Sequence, residues 1–139
     1  MSKLADLTVP APTPTGETQH FWDALADGRF ELPYCTRCET WFFYPRAMCP
    51  TCWREEWRWR PASGRGTVAG WSRVHRPGHP AWAAAAPYLL AVVVLDEGPR
   101  MLAHVLEGPA VPAVGSAVRV RPTAVGGHVI AAVAVEEAS

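Results

Sequence analysis

All four cysteines of the chain fall in one short stretch, CTRCETWFFYPRAMCPTC, at residues 35–52. They form two Cys-x-x-Cys pairs with ten residues between them. A Cys-x-x-Cys turn offers two sulfurs to one ion from a tight knuckle. Ten residues let the chain leave the first knuckle, turn and return to complete a four-sulfur tetrahedron. The spacing therefore points to a structural zinc ion held by Cys35, Cys38, Cys49 and Cys52. Two competing readings are weaker. A rubredoxin-type iron site takes the same four sulfurs, and spacing does not separate iron from zinc. A redox Cys-x-x-Cys needs no second pair and sits at a helix start in a βαβ context, which this sequence lacks. Four thiolates leave no open position for an activated water, so such a metal braces the fold and does not catalyse. In small zinc modules the apparent contribution is about 10–16 kcal/mol. An element of about thirty residues needs such a staple, because it has little core of its own.

The chain of 139 residues has room for one ordinary domain or two very small ones. Thirteen Lys and Arg balance thirteen Asp and Glu, so the formal net charge is zero. The broad positive field that draws nucleic acid or an anionic membrane is absent. The N-terminus carries no apolar run long enough for a signal-peptide core. The most apolar stretch, residues 81–95, is broken by Pro87 and ends at Asp96-Glu97, too short and interrupted to span a bilayer. The expectation is a soluble cytoplasmic protein with no membrane partner, in a reducing compartment that favours metal over disulfide.

Three parts follow from the texture of the chain. Residues 1–16 alternate Pro, Thr and Ala, and Pro10, Pro12 and Pro14 block helix, which predicts a flexible extended arm. Residues 17–60 hold a short amphipathic helix and then the zinc ribbon. In ETQHFWDALADGRF the apolar Phe21, Trp22, Leu25 and Ala26 keep a helical rhythm, with Gly28 as a natural stop. A helix of about three turns is unstable unless docked, either on the rest of the chain or on another protein. Residues 61–139 read as strands: 67–75 with a bulge or bend at Gly70, 88–98, its hairpin mate 99–108 across an Asp96-Glu97 turn, 116–125 and 127–137. Five strands rich in Val and Gly, with no helix among them, suggest a closed OB-type barrel, making the chain mainly β. The loop at residues 76–87 is the one long connection, and long ordered loops tend to be functional.

No catalytic set assembles from what remains. With the cysteines committed to metal, no thiol nucleophile is left. His20, His75, His79, His104 and His128 are scattered and form no metal or protease motif. His104, on a strand, reads as structural, and His75 and His79 flank the long loop. SGRGTVAG has glycines but neither the Lys-Ser/Thr ending nor the helix of a P-loop. In CWREEWRWR, Trp53, Trp57 and Trp59 interleave with Arg54, Arg58 and Arg60. On an OB barrel that could stack single-stranded nucleic acid. Zero net charge and Glu55-Glu56 favour packing of the tryptophans at the seam between metal module and barrel. A protein interface, where Trp and Arg serve as anchors, lies between these readings, as does an arginine cluster meeting a phosphorylated ligand such as coenzyme A.

The order of parts carries a resemblance. FWDALADGRFELPYC leads into CTRC…FYPRAMCPTC, then SGRGTVAGWSRVHR, PYLLAVVVLDEGPRMLAHV and VGSAVRVRP, over roughly residues 17–135. This resembles the family of small zinc-ribbon plus OB-fold proteins that accompany thiolase-like enzymes. The resemblance implies a non-catalytic subunit bound to a thiolase-superfamily partner that handles acyl-CoA. Its settings include archaeal hydroxymethylglutaryl-CoA synthesis, aromatic-degradation thiolases, acylphloroglucinol acyltransferases and aldolases that shorten steroid side chains. The family's zinc ligands map onto Cys35, Cys38, Cys49 and Cys52. In some members the OB domain helps line the CoA channel, for which Arg46 and residues 75–82 are the places to look. The implied assembly is a two-plus-two heterotetramer, with helix and ribbon docked on the partner. Richness in Ala, Arg, Pro and Trp leans the reading toward catabolic aldolase or thiolase work. The rival is a single-stranded nucleic-acid-binding OB module.

Overall fold

The computed structural model describes residues 3–108 and 111–136. Its first regular helix, α1 (Gln19–Ala26), buries Phe21, Ala24 and Leu25, the i, i+3, i+4 stripe of one helical face. The helix ends in a Schellman motif. Gly28 takes φ +80°, its N–H donates to the Leu25 carbonyl (2.9 Å), and the Arg29 N–H donates to the Ala24 carbonyl (2.8 Å). Two turns form where about three were expected. The residues before Gln19 are held in a turn, with the Thr15 N–H donating to Thr18 Oγ1 at 2.8 Å.

The next three strands, β1 (Glu31–Cys35), β2 (Thr40–Trp41) and β3 (Trp57–Pro61), form an antiparallel sheet in the order β2-β1-β3. Pro33 sits in the central strand although it has no N–H for a ladder. The sheet accommodates it because β2 pairs only with Tyr34 and Cys35, and Pro33 contributes its carbonyl, accepting from the Phe42 N–H at 3.1 Å.

β4 (Arg65–Val74), β5 (Tyr88–Leu95), β6 (Arg100–Val105), β7 (Ala117–Val125) and β8 (His128–Val135) close into a barrel in the order β4-β5-β6-β8-β7. β7 pairs back to β4, and β6 meets β8 in parallel at the pair Val105↔Val133. Closing five strands in this order is the OB arrangement. All five expected strands are present, and the ladder shifts register between Val68 and Gly70, where a bulge was expected. The last residue of the expected final strand, Glu137, lies outside the described residues. The Asp96-Glu97 turn joins β5 to β6, and the Glu97 carboxylate accepts from the Ser63 N–H at 2.6 Å. Within the long loop a 3₁₀ helix, Pro80–Ala85, is capped by His79, whose Nδ1 accepts from the Ala81 N–H at 3.0 Å.

One buried cluster joins Phe21 and Leu25 of α1 and Leu32 of β1 to the barrel interior, including Val93, Val118 and Val133. The helix therefore docks on its own chain, and its buried face is not a surface for another protein. The N-terminal arm also departs from expectation. Lys3–Asp6 forms a 3₁₀ turn, and Leu4 and Leu7, 4% and 7% exposed, pack with Ala85 and Val125. The Gly126 N–H donates to the Leu4 carbonyl at 3.2 Å. Gly126 itself has φ +59°, and a Cβ there would stand 2.5 Å from the Leu7 carbonyl oxygen, so only glycine lets the arm lie this close. The prolines point to an extended chain, but two leucines ahead of them suffice to pin it. The first two residues of the expected arm lie outside the described residues.

Candidate metal centre and aromatic cleft

The first knuckle follows directly from β1, whose last residue is Cys35; the Cys38 N–H points back to Cys35 Sγ at 3.4 Å. In the second, the Thr51 N–H meets Cys49 Sγ at 3.4 Å, and the Trp53 N–H donates to the Cys49 carbonyl at 2.9 Å. The four sulfurs lie within 4.8 Å of one another, with Cys35 and Cys49 buried. Cys35 and Cys52 sulfurs are 3.7 Å apart. A tetrahedron of metal–sulfur bonds ~2.3 Å long has edges of about 3.8 Å, whereas a disulfide needs ~2.05 Å.

Protonation argues the same way. Cys38 is pushed up to about 12, first by its hydrogen bond to Cys52, then by burial and by Cys35. Burial pushes the Cys49 thiol up as well, but hydrogen bonds from the backbone N–H groups of Cys52 and Thr51, together with those to the Cys35 and Cys52 sulfurs, bring it down to about 7. The sulfurs cannot all ionise side by side without a cation, and one divalent ion removes the conflict. The four residues fit a single thiolate-bound metal ion in a closed site. Among the described residues, no other group of three or more His, Cys, Asp or Glu is placed to hold a metal.

The histidines serve separate purposes. His20 Nε2 lies 2.6 Å from Glu31 Oε1 and its ring stacks on Trp59 at 4.6 Å. Arg29 pairs with the other oxygen of Glu31, so α1 is latched to β1. The His20 hydrogen bond first, and Arg29 in support, hold the Glu31 carboxyl below its usual range. His79 caps the 3₁₀ helix and His75 is exposed. His104 is half-buried, and burial pulls its pKa down against the opposing charge of Glu107.

The Trp-Arg stretch is mostly engaged within the chain. Trp57 Nε1–H donates to the Ala47 carbonyl at 2.9 Å, and its ring meets Phe42 and Trp59 edge-on. On the other face of β3, the Arg60 guanidinium lies 4.2 Å over the Tyr34 ring and 5.2 Å from Trp41. Trp53 differs. It is 73% exposed and holds φ +62°, a left-handed conformation that a bulky side chain rarely adopts.

A cleft of about 470 Å³ opens where helix, ribbon, loop and barrel meet. Trp22 of α1 and Phe43-Tyr44 after β2 line one part of it, and Trp82 and Tyr88 another. Leu102 and His104 of β6 and Ile130 of β8 complete it. Its position follows from the barrel: β6 and β8 touch at Val105↔Val133, and the lining positions lie just before that pair on both strands. Of the places singled out in sequence, Trp82 lines this cleft. Arg46 does not, though its Nε–H donates to the Tyr44 carbonyl at 3.1 Å. A second cleft of about 430 Å³ shares Tyr88 and His104 and adds Arg73 and Glu107. Neither was legible in sequence, because the walls come from segments far apart in the chain and each aromatic looks like ordinary core.

Residues 22–58 match the rubredoxin-like zinc ribbon domain of ChsH2, and residues 59–122 match the ChsH2 C-terminal OB-fold domain. The chain belongs to the ChsH2-type zinc-ribbon and OB-fold family. Within this family context, it is 30% identical over 97 residues to a Thermomonospora curvata protein named as a probable enoyl-CoA hydratase alpha subunit. That match takes in 70% of this chain and 30% of the relative. It is 34% identical over 74 residues to a DUF35 domain-containing scaffold protein of Methanocaldococcus jannaschii, covering 52% of each. The chain thus spans from 30% to about half of the length of the curated relatives it matches. In structure it superposes on a chain of the Ltp2–ChsH2(DUF35) aldolase with TM-score 0.78 at 24% identity, covering 90% of this chain and 98% of that one. A DUF35-family protein of Sulfolobus solfataricus superposes with TM-score 0.58 at 15% identity, covering 87% and 86%. At these identities the two superpositions describe the shared fold. No helix among the described residues is long and apolar enough to cross a membrane.

Proposed function

We propose that this chain is a non-catalytic accessory subunit of a thiolase-superfamily enzyme that forms or cleaves a carbon–carbon bond of an acyl-CoA. The observation that carries the reading is the closed four-sulfur site in a ChsH2-type fold. The sulfurs occupy every position of a tetrahedral ion, so the metal, which we take to be zinc, holds the ribbon and performs no step. The described residues offer no nucleophile paired with a base and an orienting group. Two relatives are named as scaffold proteins, and the superposed aldolase chain carries the name of a two-protein complex.

Because α1 spends its buried face on the barrel, docking falls to the ribbon. Met48 and Trp53 stand exposed at the second knuckle. A tryptophan held out in a left-handed conformation suits an interface anchor. The barrel would then cover the partner's acyl-CoA entrance, in a two-plus-two assembly located in the cytoplasm. Steroid side-chain or aromatic catabolism is the proposed setting. The test is capture of the tagged full-length chain from extract of its own host, with mass spectrometry of what elutes. A thiolase-superfamily enzyme in stoichiometric amount is expected. Recovery of nucleic acid, or of the chain alone, would overturn the proposal.

A further inference from the structure

β6 and β8 leave a gap that the barrel's hydrogen bonds do not close. The two strands run parallel and, among the described residues, pair only at Val105↔Val133. The cleft of about 470 Å³ lies in that gap, lined by the consecutive residues 101–104 of β6 and by Ile130 and Ala131 of β8. Successive side chains on a strand point to opposite faces. A cavity that touches four residues in a row therefore lies along the strand's edge.

The pairing fixes which backbone groups face the gap, because N–H and C=O groups also alternate sides along a strand. The Leu106 N–H donates to the Val133 carbonyl at 2.8 Å. Two and four residues earlier, His104 and Leu102 turn their N–H groups the same way, toward β8, and Ala131 turns its own toward β6. Met101 and Ala103 face the other way, into the ladder with Val93 and Ala91 of β5. Pro122, which has no N–H, stands opposite Ala131, where this alternation asks none of it.

Open strand edges are ordinarily blunted by charge, proline or a bulge. The β5–β6 register runs without a shift, and the middle of this edge carries Leu102, 66% exposed. The cleft wall holds no Asp, Glu, Lys or Arg, and Trp22, Tyr44, Trp82 and Tyr88 give it aromatic sides. Unpaired backbone between apolar walls suits an extended chain. The main chain of such a segment meets the edge, and its alternate side chains enter the walls.

We propose that an extended, apolar segment of another protein adds to the edge of β6 in this gap, pairing with the Leu102 backbone and the His104 N–H. A segment antiparallel to β6 is antiparallel to β8 as well, so Ala131 faces its far side. The site rests on the open edge and not on the accessory role above, and its failure would leave that role untouched.

The experiment uses the full metal-loaded chain and a synthetic peptide, acetyl-Thr-Val-Thr-Val-Thr-Val-Thr-amide. In the free chain the Leu102 and His104 amides should exchange quickly while those of Met101 and Ala103 are protected. The peptide should bind at one equivalent and protect the first pair. Two further versions carry N-methyl groups on the valines alone or on the threonines alone, each blocking the donors along one edge of the peptide. At least one of them should bind about tenfold more weakly. Leu102→Pro removes an N–H that the β5 ladder does not use, and should weaken the unmethylated peptide about tenfold. Leu102→Ala keeps that N–H and should weaken it less. Leu102 and His104 amides already protected in the free chain would overturn the proposal. So would absence of saturable binding, equal affinity for all three peptides, or equal loss with the two Leu102 variants. Sedimentation showing a dimer that excludes the peptide would assign the edge to a second copy and overturn it as well.

Discussion

The ribbon's own buried cluster consists of Cys35, Phe42 and Cys49, two of which are candidate metal ligands. The barrel instead closes over interdigitated valines, leucines and alanines contributed by all five strands, with no group that needs an ion. Two sheets of one short chain thus reach order by different routes. A closed barrel has no free edge and can bury both its hydrogen bonds and its side chains. Three short strands with knuckles cannot, and a metal replaces the missing core. What couples them is a small bridge: Phe21, Leu25 and Leu32 belong to the barrel's cluster although they precede the first knuckle.

Metal removal should separate the two regions most sharply. With the ion chelated, the ribbon loses apparent stabilisation on the order of 10 kcal/mol. Amide exchange across residues 35–57 should then rise to near-unfolded rates while β5 and β8 stay protected. Equal loss across the barrel would break the contrast. A smaller effect is expected from the bridge. Leu25→Ala should cost about 2–5 kcal/mol, because it opens a cavity where helix, ribbon and barrel share one cluster. Denaturant unfolding should show both regions weakened in one transition. If the ribbon alone loosens, the shared core is not a coupling element.

The arm offers a third, milder test. Gly126→Ala places a methyl group against the Leu7 carbonyl at a left-handed φ, and should destabilise by about 1 kcal/mol or more. Exchange protection should fall at the Gly126 N–H and leave the ribbon unaffected. The smallest effect belongs to the latch. Glu31→Gln should cost about 1 kcal/mol. The Glu31 carboxyl is held below its ordinary value of 4.5, so its contribution is present above that value. It is lost as the pH falls through the lower folded value. The difference between wild type and variant, measured by urea unfolding, should therefore be full at about pH 6 and close in acid.

Local patterns were legible wherever a single segment carries its own signal. The five barrel strands follow from alternation and turn residues, and Gly70 marked its bulge because a glycine inside a β-rich run has few other uses. Gly28 marked the helix end for a similar reason. What escaped was pairing between distant segments. Leu4 and Leu7 carry no periodicity that would predict their burial on β7 and its turn, and the prolines after them suggest the opposite. Trp22 looked like one more apolar residue on the helix stripe. Only the tertiary arrangement places it both against the barrel cluster and in the wall of a cleft.

Cobalt substitution tests most directly the claim that the four sulfurs form a closed brace. Cobalt(II) added to the metal-free chain should bind at one equivalent per chain and give the intense visible bands of a tetrahedral tetrathiolate. That spectrum should be unchanged by excess imidazole or an added thiol, because no coordination position is open. A spectrum that shifts with either ligand, or one that reports fewer than four sulfurs, would contradict the account and place an exchangeable metal position on this chain.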